Sequence, residues 1–352
     1  MKAARLYGAR DMRIDDVPEP GAPQAGEVLI RVGSVGVCGS DLHTYEDGRI
    51  GDTVVRDPLV LGHEFAGTVA AVGPGAIDGR GAPLAVGQRV AVEPGLPCHH
   101  CDRCEHGHPN LCRNLGFMGL WPQDGALQER MIVPARNCFP MPDSLSMDVG
   151  ALLEPLGVAL HAIDLAKLRV AEPVVVLGCG PIGLMIMRLA KLAGAGPVYA
   201  VDQFGWRLDA AREWGADEVI DMSAGDPIDA VRALTDGCGV PRVIEAAWAG
   251  DAVRQAVEMA DLGARVVLVG IPGDDSAYFK HSTARRKGLS LIMSRRMKHT
   301  YPRAIRLAES GAVTLDRLVT HRFPLEQAGE AHALNAAYQD GVIKVMIALD
   351  QA

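Results

Sequence analysis

The chain has 352 residues, with 35 lysines and arginines against 43 aspartates and glutamates, a formal net charge of -8, and 48% apolar residues. A chain of this length predicts about two domains, each with a sizeable core; the apolar content excludes global disorder, and the acidic balance argues against a nucleic-acid or anionic-membrane binder. Forty glycines and 22 prolines beside only 5% aromatics suit an α/β protein with many strand–helix turns.

The opening residues, MKAARLYGARDMRIDD, are charged and contain no apolar targeting stretch, so a cytoplasmic setting is expected. The longest apolar run, 174–187, is too short to span a membrane and is interrupted by Gly and Pro. Residues 1–150 are short Val/Ile runs between Gly and Pro, as at Val28–Val32, Thr68–Val72 and Arg89–Val92, which predict a β-rich domain. Inside this stretch, Cys98-x2-Cys101-x2-Cys104-x7-Cys112 places four thiols in a Gly/Pro/His-rich loop. In a reducing compartment such clusters are metal ligands rather than disulfides, and a closed four-sulfur shell is a structural zinc site. The nearby His99, His100, His106 and His108 are expected to be solvated, and Cys138, Cys179 and Cys238 to be small buried apolar residues.

From about Leu156 the texture changes to alternating strands and helices. Strands are predicted at 173–177, 198–201, 219–221, 242–245 and 265–269, with helices at 181–192, 207–214, 228–234 and 252–259. This alternation predicts a parallel doubly wound sheet. A helix at 302–309, a strand near 319–323, a helix at 325–335 and a strand at 344–348 then return to the first domain. The basic cluster Arg285, Arg286, Lys287, Arg295, Arg296 and Lys298 is read as a solvated face or a cofactor-phosphate contact. The expected boundaries are 1–154, 155–293 and 294–352, the first and last forming one domain.

The first strand of this second region ends in Gly178-Cys179-Gly180-Pro181-Ile182-Gly183 and leads into a helix. Gly178 permits the tight turn, Gly180 lets backbone approach a pyrophosphate, and Gly183 lets helix and strand pack closely. The helix N-terminus then faces the phosphates with unpaired N–H groups. Asp202, ending the next strand, is placed to bind an adenosine ribose diol and to repel a 2′-phosphate, favouring NAD over NADP. Arg207 stands where it can stack on adenine or hold that loop.

A further set is dispersed: Cys38-Gly-Ser40-Asp-Leu-His43, Gly62-His63-Glu64, and Glu154-Pro155-Leu156. Cys, His and Glu are competent zinc ligands, and a three-ligand site leaves one position open for chemistry.

Gly62-His63-Glu64-x2-Gly67-x5-Gly73 resembles the signature of zinc-containing medium-chain alcohol dehydrogenases, and the four-Cys loop and the later glycine motif lie in that family's order. The resemblance covers essentially the whole chain. Residues 45–52, 61–64 and 154–156, together with Thr300-Tyr-Pro302 and Ala304-Ile305, are similar to its sorbitol, or polyol, dehydrogenase branch. The resemblance implies a GroES-like catalytic domain beside a Rossmann domain, with the nicotinamide held against a catalytic zinc in the cleft between them. It implies NAD, two Zn2+ per chain and a homo-oligomer, dimer or tetramer, with no nucleic-acid or membrane partner. Cys38, His63 and Glu64 are then the catalytic zinc ligands, and Glu154 binds the metal or holds its water. Ser40 and His43 carry the alcohol proton away. Ile182, Asp202, Arg207 and Val269-Gly270-Ile271 match cofactor contacts, as do Ser294 and Arg295. Arg296 matches an arginine facing the polyol.

Thr44 and Met297 stand where the polyol branch tends to have Tyr, and Met118, Leu120 and Trp121 line a segment expected near the substrate. These departures turn the expectation from sorbitol towards another polyol, a cyclitol or a sugar. L-threonine or glucose dehydrogenase activity, a zinc-independent quinone reductase of the same superfold and a non-catalytic dinucleotide-binding relative are the alternatives.

Overall fold

Alternating apolar residues fix the first sheet. In the strand Glu27–Gly36, Val28, Ile30 and Val32 are buried while Arg31 is exposed. A computed structural model describes residues 1–247, 249–273 and 275–349. Met1–Pro155 with Tyr301–Ala352 form one unit, and Leu156–Thr300 form the other.

The first unit carries a seven-stranded sheet in the order Cys138–Pro140, Arg89–Val92, Glu64–Val72, Glu27–Gly36, Lys344–Ala348, Val319–Pro324, with Arg130–Pro134 also paired to Glu27–Gly36. A three-stranded sheet of Asp11–Asp16, Lys2–Gly8 and Leu59–Val60 accompanies it. Gly36 lies opposite Glu64 on one side and opposite Met346 on the other, so the last strand of the chain is brought next to the first long ones.

Two helices of nine or more residues escape the sequence reading. Gly39–Asp47 (GSDLHTYED) has no apolar stripe; it is set instead by its ends, with Asp41 accepting the Cys38 N–H and Gly48 closing it at φ 65°. Met147–Ala166 is long and apolar enough by composition to cross a membrane, but 78% of its apolar stretch is buried. A helix apolar on all sides belongs to a core and shows no amphipathic period to read.

In the second unit, all six strands are parallel, in the order Glu218–Asp221, Val198–Asp202, Val174–Leu177, Val240–Glu245, Ala260–Leu268, Ser290–Met293. Ranked along the chain this order is 3-2-1-4-5-6, the doubly wound pattern, whose ligand crevice lies at the carboxyl ends of strands one and four. The central strand Val174–Leu177 is buried on both faces, as a sheet covered by helices requires. The fifth strand starts at Ala260, before the expected 265. Its first turn-like residues, Asp261-Leu-Gly263, are half-buried or exposed and hide it in the sequence.

Two expectations are corrected. Cys138 and Cys179 are buried, but Cys238 is exposed, because the turn through Asp236, Gly237 and Gly239 runs at positive φ and swings it outward. Lys287 belongs to neither a solvated face nor a phosphate contact: its ammonium donates to Val257, Glu258 and Ala260 carbonyls at 3.1, 2.8 and 2.7 Å, closing the C-terminus of the helix Ala252–Met259.

Candidate metal centres and dinucleotide cradle

The four-Cys loop folds on a one-turn helix, Asp102–Glu105, and a 3-10 turn, Pro109–Leu111. It brings Cys98, Cys101, Cys104 and Cys112 together, with Sγ–Sγ separations of 3.6 Å (Cys101–Cys104), 3.9 Å (Cys101–Cys112) and 3.4 Å (Cys98–Cys112). A tetrahedron with Zn–S bonds of about 2.3 Å has S–S edges of about 3.8 Å, so the spacing fits that ion. Backbone N–H groups of Cys98 and Asn114 point at the Cys112 sulfur, and Arg113 clips the loop to Asp102. The crowded thiols separate in acidity: N–H donation, first from Arg113, brings Cys101 down to about 6, whereas desolvation and neighbouring sulfurs push Cys104 up to about 12. His99, His100 and His106 are exposed and His108 half-buried; none joins the sulfur group.

A second group forms where the strand Glu27–Gly36 gives way to the helix Gly39–Asp47. Cys38 Sγ, a His63 ring nitrogen and a Glu64 carboxylate oxygen lie within 4.8 Å of one another. Gly62, at φ +91°, delivers His63 from a turn too crowded for a side chain: a Cβ there would lie 2.8 Å from Val35 Cγ1. Asp41 grips both partners, with Oδ2 accepting the Cys38 N–H at 3.0 Å and Oδ1 3.2 Å from His63 Nδ1. Held through Nδ1, His63 presents Nε2 to the group, the arrangement that orients metal-binding imidazoles. Ser40 Oγ is 3.4 Å from both Cys38 Sγ and His63 Nε2. The mixed S/N/O donor set, preassembled with His63 and Glu64 buried and Cys38 half-buried, suits zinc.

Other expected residues of this unit surround that group or stand apart from it. His43 is buried on the same helix, one turn beyond Ser40. Thr44 is 3% exposed and donates its hydroxyl back to the Ser40 carbonyl. Glu154, buried on Met147–Ala166, is not among the three converging donors. Met118 is buried, and half-buried Trp121 lies under the Arg56 guanidinium, 5.3 Å from its ring centre.

In the second unit each glycine of the motif shows a separate constraint. Gly178 runs at φ +91°, and a Cβ there would meet Ala246 O at 2.6 Å. At Gly183 a Cβ would lie 1.8 Å from Gly178 O. At Gly180 it would meet only Arg207 Nη1 at 3.9 Å, so the backbone there is open to a ligand, directly ahead of Pro181, Ile182 and the first turn of the helix Pro181–Leu192. Asp202 is 6% exposed; its carboxylate accepts N–H bonds from Cys179 (2.7 Å), Gln203 (2.7 Å) and Phe204 (3.0 Å), tying the glycine turn to the adjacent strand end. Arg207 lies over the Phe204 ring. Val269 and Gly270 both donate to the Glu245 carbonyl, and Ile271 is exposed. Ser294 is tied by its N–H to Leu268, Arg295 is exposed, and Arg296 is half-buried at φ 54°. Met297 is buried against Gly157, where a Cβ would sit 2.6 Å from its sulfur.

Three residues around these sites escape the sequence reading: Asp41, Lys344 and Glu245. The Cys38-x-x-Asp41 spacing, that of a capping box, is the one available signal. Glu245 is 2% exposed at the end of the fourth strand, and its carboxylate accepts from Ala247 N (2.7 Å) and Gly270 N (3.2 Å). Burial raises its pKa from 4.5 to about 7 despite those donors. The folded state thus holds this proton more tightly than the unfolded chain. Its stabilising contribution is complete below pH 4.5 and is lost as pH rises through about 7. Glu245→Gln is expected to flatten that decline and to raise stability at pH 8 relative to pH 5, against wild type, by about 3 kcal/mol. Denaturant melts at the two pH values check this; parallel pH dependences would contradict it.

Residues 24–143 match the alcohol dehydrogenase GroES-like domain, and residues 181–310 match the zinc-binding dehydrogenase domain. The sorbitol dehydrogenase of Bacillus subtilis is 36% identical over 347 residues, 99% of this chain and 97% of that protein. L-idonate 5-dehydrogenase of Escherichia coli superposes with a TM-score of 0.89 at 27% identity, covering 99% of this chain and 98% of the other. A zinc-binding dehydrogenase of Sinorhizobium meliloti, solved bound to NADP, superposes with a TM-score of 0.89 at 31% identity, covering 99% of both chains.

Proposed function

The chain belongs to the zinc-containing medium-chain alcohol dehydrogenase family, in its polyol dehydrogenase branch, and we propose that it oxidises a secondary hydroxyl of a polyol, cyclitol or sugar to a ketone or lactone with NAD as hydride acceptor. The observation that carries this reading is the convergence of Cys38, His63 and Glu64 with the Ser40 hydroxyl against two of them. A zinc ion held by those three would lower the pKa of a substrate hydroxyl, and a nicotinamide in the second unit would supply the hydride acceptor.

This chain's residues contribute position and proton handling. Asp41 fixes the His63 tautomer and anchors Cys38. Ser40, beside both ligands, is the hydroxyl placed to receive the proton released by the substrate, and His43, one helical turn on, passes it outward. Glu154 supports the site as a buried carboxylate. The Thr44 hydroxyl is already engaged by Ser40 O, and Thr44, Met118 and Trp121 are assigned to a substrate wall that would be less polar than one carrying a tyrosine. Arg296 is assigned to substrate hydroxyls. The four-Cys loop is assigned a second, structural zinc. A cytoplasmic homo-oligomer is part of the same reading.

NAD-reduction assays over linear polyols, cyclitols, aldoses and amino alcohols test the substrate class. Turnover of polyols, cyclitols or aldoses is expected; turnover confined to L-threonine or other amino alcohols would overturn it. Cofactor choice rests on Asp202. Asp202→Ala removes a carboxylate that repels a 2′-phosphate, so the NAD:NADP ratio of kcat/KM is expected to fall by about 10- to 100-fold. It also strands three backbone donors, so some stability is lost as well. A ratio that does not move would show that Asp202 ties the turn without discriminating between the cofactors.

A further inference from the structure

Lys344 opens the last strand and is 2% exposed. Its ammonium donates to the Val37 carbonyl at 2.9 Å and forms an ion pair with Glu64 Oε2 at 2.5 Å. Glu64 is itself 1% exposed. The pair crosses the strand Glu27–Gly36 at a residue with no side chain: a Cβ on Gly36 would lie 2.3 Å from Glu64 Oε2 and 3.1 Å from Lys344 Cε. The strand register, with Glu64 opposite Gly36 on one edge and Met346 opposite it on the other, leaves this slot for the lysine. One ammonium therefore holds the Glu64 carboxylate and the carbonyl that precedes Cys38.

The charges explain why it is there. Asp41 and Glu64 are buried together, with half-buried Cys38 beside them, and carboxylates so placed are unfavourable when nothing positive faces them. We propose that Lys344 is a positioning residue that stands in for the metal's charge: it keeps Glu64 directed into the site in metal-free protein and competes with the metal for that carboxylate. The inference rests on the reading of Cys38, His63 and Glu64 as a metal site. Tight zinc binding is thereby traded for a site that stays assembled while empty, so metal enters without local refolding.

The test uses metal-free protein titrated with Co2+, whose visible absorption distinguishes a one-sulfur from a four-sulfur donor set. Lys344→Met is expected to bind Co2+ at the one-sulfur site at least about ten-fold more tightly than wild type, and Lys344→Arg, which keeps the charge, to stay near wild type. Metal-free Lys344→Met should also melt below metal-free wild type, with the difference narrowing when Co2+ is bound. In a Glu64→Gln background the same lysine substitution is expected to change affinity by less than about three-fold, because its competitor is gone. Should Lys344→Met be unfolded without metal, recovery on adding Co2+ is the expected result, and failure to recover would overturn the proposal. Unchanged Co2+ affinity with equal losses of melting temperature in both forms would make Lys344 a structural ion pair and nothing more. An equal gain in affinity in the Glu64→Gln background would show that it does not act through Glu64. Absence of a one-sulfur Co2+ signal in wild type would instead remove the metal-site reading itself.

Discussion

Replacing His63 with alanine is expected to lower kcat/KM by at least about 10^3-fold, because a barrier reduction of several kcal/mol is what the metal supplies to hydroxyl activation. His63 is one of three converging donors among the described residues, and its ring is held by Asp41 on one side with Ser40 facing the other. The substitution thus deletes one of the three donors, leaves Asp41 Oδ1 without its imidazole while Oδ2 keeps the Cys38 N–H, and opens a gap against Phe117, whose ring centre lies 5.1 Å from that of His63. The glycine motif and Asp202, proposed to hold the dinucleotide, lie in the other unit, so NADH affinity, read by fluorescence titration, should stay within about three-fold of wild type if the two sites are energetically independent. Wild-type turnover in His63→Ala would remove it from the essential ligands.

The second large effect is on stability. Cys101→Ser is expected to release one metal per chain and to lower the melting temperature by on the order of 10 °C, while activity per folded protein is retained. The physical reason lies in the loop's composition. Between residues 98 and 112 only Asn110 and Cys112 are buried, so little apolar surface holds this segment in place. A metal held by the four sulfurs would supply the ordering, with the Asp102–Arg113 pair at the surface adding little. A variant with full metal content and unchanged melting would refute the structural role.

The parts that could be read from sequence are those whose signal is local. The cradle is encoded within Gly178–Gly183, where three glycines meet three different steric demands within six residues. The sulfur cluster is encoded in a spacing of 15 residues, and its geometry depends on two tight turns. The parts that stayed hidden depend on register between distant strands. Lys344 looks like an ordinary polar residue opening a strand; only the pairing of 344–348 with 27–36, and of 27–36 with 64–72, makes it the partner of Glu64. Glu245 comes after the apolar residues Val243-Ile244 and owes its raised pKa to burial, which outweighs the N–H donated by Gly270, 25 residues later. The helix Gly39–Asp47 was hidden for another reason. It carries its instructions in its caps, and those are legible only once Cys38 and Asp41 are seen to belong to one turn.

On the proposed function, a divalent metal bound by Cys38, His63 and Glu64 is required for oxidation of the hydroxyl. Stepwise chelation of the purified enzyme, with metal per chain counted alongside polyol-dependent NAD reduction, tests it most directly. The expected result is two zinc ions per chain at the start and activity that falls in proportion to loss of one of them. Cys38→Ser should begin with one zinc and no turnover. Full turnover in enzyme stripped of metal, or two zinc ions and wild-type rates in Cys38→Ser, would show that oxidation needs no metal at these residues.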